Sequence, residues 1–533
     1  MYSIKEGHLE WSLNHLKKYS DSDFYPKLFE FKAIMHNWDN VKDYIVARDL
    51  EKYMPSSPII NLAPKSNITF RVVHQLDPID SLIYTSLVYE LSEIIENYRI
   101  PEAEMIACSY RIKTDMNSFF NKDDTGYQNY LKRIEYLSNE YKDGYVLFCD
   151  ITDFYNQIYI HRIQNIIEEA GHGQFDLQSK VLEKFLLGLT KKTSRGIPVG
   201  PAPSIILAEA IMSDIDKKIM KYSREFVRWV DDIRIFTKTY EEAIMISHDL
   251  SDYLYSPHRL VLSSEKTNIE TTQSFITNYF ENEEKEEQKA ILSEIDELAR
   301  VKIKEIIDEI YEHSAPYAFD NGEIDVDYDQ IYDDLLTKDQ FKIISTAYYK
   351  IFEINIKKRV IDPGILRHIL RKSTILRIRK ILPIILENFD RFLPVLREIV
   401  LYLNKILNPE IVDNYQDHFR KIVNSYYMKF PFVNHWISYL LQNESFNLIN
   451  LPEDYEKIIT VRDQALIALR KNDVTWVKEY KEKIDTKGSW DRRAIIFSSQ
   501  ILSSTEMRSW LRAIIARGDI VEKSISSYLL SIK

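Results

Sequence analysis

FVRWVDDIRIF, residues 226 to 236, sets two short apolar-rich runs around adjacent aspartates, Asp231 and Asp232. The alternation predicts a β-hairpin closed by a two-residue turn at the aspartate pair. Such turns favour Asn-Gly, Asp-Gly or Gly-Gly, because their central residues need positive φ. Asp-Asp offers less backbone freedom and sets two like charges side by side. A pair that folding alone would not choose points to chemistry.

Outward from the hairpin, three further segments matter. YVLFC, residues 145 to 149, is a compact β-prone run that ends at Asp150. RGIPVGPAPS, residues 195 to 204, is a glycine and proline loop that feeds an apolar helix, IILAEAIMSDIDKKIM. RLVLSSEKT, residues 259 to 267, reads as a short extended piece. Adjacent strands of one sheet would bring Asp150 and Asp231 together, although they stand 81 positions apart (231 − 150). Two Mg²⁺ ions roughly 3.5–4 Å apart, held by a few rigid carboxylates, can clamp the attacking and leaving oxygens of a phosphoryl transfer. Mg²⁺ prefers hard oxygen ligands and keeps waters, so two or three carboxylates suffice.

Nearer the N-terminus, YMPSSPIINLAP reads as a proline-bearing loop and KSNITFRVVHQLDP as an extended segment. Asp77-Pro78 opens a helix, with aspartate at the cap and proline at the first helical position. Ile83, Leu87, Leu91, Ile94 and Ile95 continue it at helical spacing. Residues 177 to 190 and roughly 240 to 255 also read as helices.

The chain has 533 residues, with 45% hydrophobic and 28% charged content, the balance of a folded protein. Glycine occurs only 12 times while Ile, Leu, Lys, Glu and Tyr abound, which argues for a mostly helical protein. Two cysteines, Cys108 and Cys149, leave no disulfide framework and no zinc-type spacing, and fit a reducing cytoplasm. MYSIKEGHLEW has no apolar signal core, and no run of about 18 apolar residues predicts a membrane span. The net charge of −11 argues against broad non-specific nucleic-acid binding, while leaving room for a local basic channel. ENEEKEEQK, residues 281 to 289, is a charge run that marks a domain boundary. Beyond it, ILPIILENF, FLPVLREIVLYLNKIL and AIIFSSQIL read as amphipathic helices of an α-helical stack.

DITDFY, GIPVGPAPS, WVDD and LVLSSEKT resemble the successive palm motifs of reverse transcriptases in order, spacing and residue type. The resemblance spans roughly residues 65 to 275. It implies that Asp150 and Asp231 ligate two Mg²⁺ ions, Mn²⁺ being an alternative, with Asp232 as the accompanying carboxylate. The carbonyl of Ile151 would complete a metal shell. Tyr155 falls where these enzymes place an aromatic gate against the ribose 2′-OH, which implies dNTPs as substrates. Lys266 matches the lysine that protonates the pyrophosphate leaving group or steadies its charge. Lys65 and Arg71 resemble the fingers residues that grip the triphosphate. Val199 and Gly200 fall beside the nascent base pair. Val199 stands where many reverse transcriptases have glutamine, and Trp229 where tyrosine or phenylalanine is usual. Both departures argue against ordinary templated, processive copying.

The layout is similar to the abortive-infection (Abi) and defence-associated reverse transcriptases of bacteria. SYRI, residues 109 to 112, and WDRRAIIFSSQIL, residues 490 to 502, add to that resemblance. It implies an α+β fingers/palm followed by an all-α, HEAT-like helical-repeat domain. The expected division is 1–140 for the N-terminal and fingers region, 141–280 for the palm and 281–533 for the helical domain. It implies either untemplated DNA synthesis, primed from a tyrosine and leaving the product attached to an oligomeric protein, or synthesis on a noncoding RNA. A group II intron or retron-type enzyme and a catalytically silent helical scaffold are the competing readings. None of the 35 tyrosines is singled out by pattern.

KKRVIDPGILRHILRKSTILRIRK, residues 357 to 380, holds nine Lys or Arg and one acid. Within it Arg371, Lys372, Arg377, Arg379 and Lys380 are candidate nucleic-acid contacts. Lys191, Lys192 and Arg195, ahead of the glycine-proline loop, are candidates for backbone phosphates. DVDYDQIYDD, residues 325 to 334, lacks the glycine and glutamate that a calcium loop needs, since Gln330 and Leu336 stand there.

Overall fold

The computed structural model describes residues 2–66, 68–120, 126–279, 338–358, 361–446 and 459–532. The charge run at 281–289 and the acidic segment at 325–334 lie outside the described residues. Most of what is described is helical.

Among the described residues six strands form two sheets. Strands β1 (Ile59–Pro64) and β2 (Phe70–Gln75) make a two-stranded antiparallel ribbon. IINLAP, expected from its prolines to be loop, is instead β1. Prolines at both ends of the run disguise it, but a strand with one partner tolerates them at its margins. Strands β3 (Tyr145–Cys149), β4 (Phe226–Trp229), β5 (Asp232–Thr237) and β6 (Asn268–Thr271) form one sheet in the order β4-β5-β3-β6. Every pairing in it is antiparallel.

Side chains alternate across the pleat, so β3, β4 and β5 each feed two cores. Leu147, Cys149, Ile233 and Ile235 join a large core with helix Ala202–Ile219. Val146, Val227 and Phe236 face the other way, against Ile134 and Leu137 of helix Gly126–Glu140. Both sheet faces are therefore covered, which makes the strand ends rigid platforms.

Helix starts follow capping chemistry. The Asp77 carboxylate accepts from the Ile79 N–H at 3.1 Å, with Pro78 at the first helical position. Asp362 repeats the device, accepting from the Gly364 and Ile365 N–H groups ahead of Pro363.

The helices after residue 338 divide between two cores. Those from Lys338–Lys357 to Pro431–Leu440 pack around Phe352, Ile369, Tyr402 and Trp436, joined by Tyr25, Ala63 and Val73 from the first half. Those from Val461–Lys471 to Ile520–Ile532 join the large core with Leu9, Phe31 and Ile34. Buried ion pairs fix that closure. Arg462 binds Glu30 through two bonds of 2.6 and 2.9 Å, and Arg493 binds Asp77 at 2.6 Å. Trp436 donates its Nε1–H to the Phe24 carbonyl at 3.0 Å. Among the described residues no helix is long and apolar enough to cross a membrane.

Candidate active site

The strand ladder gathers the carboxylates. Cys149 of β3 pairs with Ile233 of β5. One step further along that antiparallel register sets Asp150 opposite Asp232, and the two share a hydrogen bond. Asp231 precedes Asp232 in the turn. Burial pushes its carboxyl up to about 6, with Asp232 and Asp150 adding repulsion. Asp232 is raised in the same sense, by burial first and then by Asp150. Lys266, in the turn before β6, donates from Nζ to Asp150 Oδ1 at 2.7 Å. Burial opposes the Lys266 charge most strongly, but that bond together with the negative charges of Asp150, Asp232 and Asp231 outweighs it and raises its pKa.

Ile151 lies just past Asp150 and is buried. It forms an isolated antiparallel bridge with Leu262. The two bonds of that bridge run from Ser263 N–H to the Asp150 carbonyl and from Thr152 N–H to the Val261 carbonyl. The Ile151 carbonyl is not spent in either.

The turn itself corrects the sequence reading. Trp229 pairs with Asp232, so the two-residue loop is Val230–Asp231, and Asp232 belongs to β5. Val230 takes φ +57, a left-handed conformation that a β-branched residue adopts only under compulsion. Two groups hold it there. The Val230 N–H donates to Ser109 Oγ at 3.0 Å, and the Val230 carbonyl accepts from Arg228 Nη1 at 2.7 Å.

Arg228 is wholly buried on β4 and is the hub of a charge network. Its Nε and Nη2 bind Asp216 at 2.8 and 2.7 Å, and Nη2 also binds Glu209 at 2.9 Å. Glu209 takes a second arginine, Arg99, at 2.8 Å, and accepts from Ser109 Oγ at 2.6 Å. Burial pushes Glu209 up, but Arg228 and Arg99 outweigh it and hold the carboxyl below its usual range. Sequence reasoning missed this network. Its signal was an arginine inside a strand otherwise made of core residues, together with the SYRI segment that supplies Ser109.

In front of Asp231 lies a cavity of about 410 Å³. Tyr155, Val199, Gly200 and Trp229 line it, as does Arg71. The Arg71 guanidinium sits 5.8 Å from the centre of the Phe24 ring. Burial and Arg367 disfavour its charge, and Asp231 favours it. Lys65 is exposed in the β1–β2 turn and does not line the cavity. Val199 is tied to β2 by two bonds: its N–H donates to His74 Nδ1 at 3.0 Å, and its carbonyl accepts from the His74 N–H at 2.9 Å. Trp229 packs in a cluster with Tyr110, Tyr127 and Tyr130, ring centres 5.3 to 6.1 Å away.

Gly200 has φ +125, and a Cβ there would stand 2.5 Å from Ser22 Oγ. Gly200→Ala is expected to cost about 1–3 kcal/mol through strain at that φ, and to displace the Ser22–Asp23 loop from the cavity wall. The drop in urea midpoint measures it.

The basic candidates separate. Lys191 and Lys192 are exposed with positive φ, and Arg195 is exposed with Nη1 on Gln157 Oε1 at 3.3 Å. Arg371 lines the cavity. Arg379 and Lys380 are exposed, and Lys380 Nζ lies 4.7 Å from the Tyr349 ring centre. Lys372 and Arg377 are half-buried and do not line it. Two cavity arginines that the sequence reading did not name, Arg367 and Arg397, stand beside Arg371.

Among the described residues no group of three or more His, Cys, Asp and Glu side chains closes into a metal-ligating cluster. Mg²⁺ is usually held by one or two carboxylates, with waters and substrate phosphates completing the shell. Asp150 with Asp231 or Asp232 fits that open arrangement, and the raised pKa values mark crowded negative charge that a cation would relieve.

Residues 64–294 match the family model described as reverse transcriptase (RNA-dependent DNA polymerase). The chain therefore carries a domain of reverse-transcriptase type over the stretch that holds β2 to β6 and all three aspartates. Among solved structures, telomerase from Candida albicans in complex with a TWJ fragment of telomeric RNA is similar at 12% identity. That similarity covers 86% of this chain and 71% of that one, with a TM-score of 0.30. No curated protein matches the chain.

Proposed function

We propose that the protein is a DNA polymerase of reverse-transcriptase type that adds dNTPs without a nucleic-acid template, primed from one of its own tyrosines, in defence against phage. The observation that carries the polymerase reading is the meeting of Asp150, Asp231 and Asp232 at adjacent strand ends, within the segment that matches the reverse transcriptase model. What supports untemplated synthesis is the cavity. At about 410 Å³ it has the size of a small-molecule site, and residues of the chain's second half line it. Val199 and Trp229 support the same reading. Protein priming, oligomer formation and the defence role in the cytoplasm are supported by the family resemblance of the motifs.

In this reading the hydroxyl oxygen of the primer attacks the α-phosphorus, and the bond from that phosphorus to the bridging oxygen breaks. The hydroxyl proton leaves to solvent, and Lys266 Nζ gives one to the departing pyrophosphate. Two bound Mg²⁺ ions, or Mn²⁺, would supply positive charge that stabilises the attacking and the leaving oxygen. Asp150, Asp231 and Asp232, with the Ile151 carbonyl, would hold them. Tyr155 would stack under the sugar and exclude a 2′-OH. Arg71 would bind phosphate.

The test is incubation of the purified chain with Mg²⁺ and each dNTP separately, with no added primer or template. DNA that stays with protein after denaturation and is freed by protease is the expected product. Synthesis abolished by prior ribonuclease treatment would favour a noncoding RNA template, to which the exposed Lys191, Lys192 and Arg195 are suited.

A further inference from the structure

The ribbon of β1 and β2 has two faces of opposite character. Ala63 and Val73 point inward and are buried among the helices that pack around Phe352 and Trp436. The register sets Ile60 opposite His74, Leu62 opposite Val72 and Pro64 opposite Phe70. Side chains two apart on a strand share a face, so Ile60, Leu62, Phe70 and Val72 lie together on the outer side. That side is open: Ile60 is 52% exposed, Leu62 55% and Phe70 41%. Ile68, in the turn that joins the strands, is 86% exposed. The patch runs on past the ribbon. The Phe70 ring meets Phe430 edge-on at 5.7 Å, and Phe430 meets Tyr426, itself 61% exposed, at 5.9 Å.

Exposed apolar side chains scattered singly are ordinary, but five in one tract are not. Together these five present roughly 600 Å², at the upper end of what a monomer leaves open. Charge narrows what covers them. A nucleic-acid strand needs cations along its path, and the outer face of the two strands carries no Lys, Arg, Asp or Glu. An apolar surface bare of charge is the composition of contacts between permanent partners. At the Tyr426 end the rim holds both signs: Lys429 is exposed, and so is Asp390, whose charge reaches Tyr427. Such a rim can meet a copy of itself about a two-fold axis, each charge facing its opposite. Two copies face to face would bury about 1,200 Å² in all, the lower bound of a stable interface. We infer that the outer face of this ribbon is the contact between two copies of the chain. The inference rests on the oligomer reading above and names its surface. Arg71 stands between Phe70 and Val72 and lines the cavity, so the contact also braces a wall of the site.

Sedimentation equilibrium of the full chain over a range of concentrations tests this. The parent is expected to associate, and Ile60→Glu/Leu62→Glu to weaken the association at least about a hundredfold. The control is Ile244→Glu/Met245→Glu on helix Tyr240–Tyr255, at positions 47% and 67% exposed and outside the patch. It should associate as the parent does. If the ribbon variant folds poorly, single cysteines serve, since Cys108 and Cys149 are buried. A short bismaleimide should join two chains through Leu62→Cys and not through Met245→Cys. A parent that stays monomeric at every concentration would overturn this surface and the oligomer reading together. An oligomer that the ribbon variant leaves intact, or that the control breaks equally, defeats the surface and leaves the oligomer reading standing. So does cross-linking through Met245→Cys alone. The polymerase reading fails separately, on incorporation.

Discussion

Asp231→Asn is expected to abolish nucleotide incorporation, by at least about a thousandfold, or about 4 kcal/mol of transition-state stabilisation. Asparagine keeps the shape of the turn and removes the charge that would hold a metal ion opposite Asp150. The same change should not unfold the protein. In the folded chain the Asp231 carboxyl is pushed up to about 6, above its ordinary 3.8. The folded state therefore holds the proton more tightly than the unfolded chain does. Asp231 favours folding at low pH, and its contribution falls as pH rises between those two values. At pH 7 without metal the ionised group is a burden that asparagine lifts. The melting temperature of the variant should equal or exceed that of the parent, and Mg²⁺ should raise it less than it raises the parent's. Incorporation by the parent should climb as pH rises through about 6, because the carboxyl must shed its proton to take a metal. An Asp231→Asn protein that keeps a tenth of the parent rate would end the two-metal reading.

The parts of this site that sequence made legible are those written in local chemistry. An acid at the end of a β-prone run, a glycine-proline loop before an apolar helix and a doubled aspartate in a hairpin each carry a short-range signal. Asp77-Pro78 announced its helix in the same way, and the structure shows the cap bond. What was not legible depends on partners far along the chain. The hairpin pattern centred the turn on the aspartates, whereas the ladder pairs Trp229 with Asp232 and shifts it back one residue. Nothing near Val230 predicts φ +57; the forces that hold it come from Ser109 and from an arginine anchored on the helix at 202–219. IINLAP became a strand because β2 offers it a partner, against its prolines. The basic run at 357–380 read as one surface. The helix ends at Ile375, so Arg371 on it lines the cavity while Arg379 and Lys380 lie past its end, exposed.

Arg228→Met is expected to cost at least about 3 kcal/mol of stability, because Asp216 and Glu209 would stay buried with their shared cation gone. Chemical denaturation measures that loss. A second substitution separates structure from positioning. Arg228→Met/Asp216→Leu removes the most deeply buried acid along with the arginine, and Glu209 keeps Arg99. Exchanging a buried ion pair for apolar side chains of similar size is often close to neutral, so most of the stability should return. Incorporation should not return with it. The Val230 carbonyl would still lack the Arg228 bond that holds the turn at positive φ, and Asp231 rides on that turn. A misplacement of even about 1 Å at a reacting centre can cost on the order of a hundredfold. The double variant should therefore fold and bind dNTP yet incorporate at least about tenfold more slowly, the deficit falling on kcat and not on KM. If activity recovers in step with stability, Arg228 serves the fold alone, and Ser109 is left as the only brace on the strained turn.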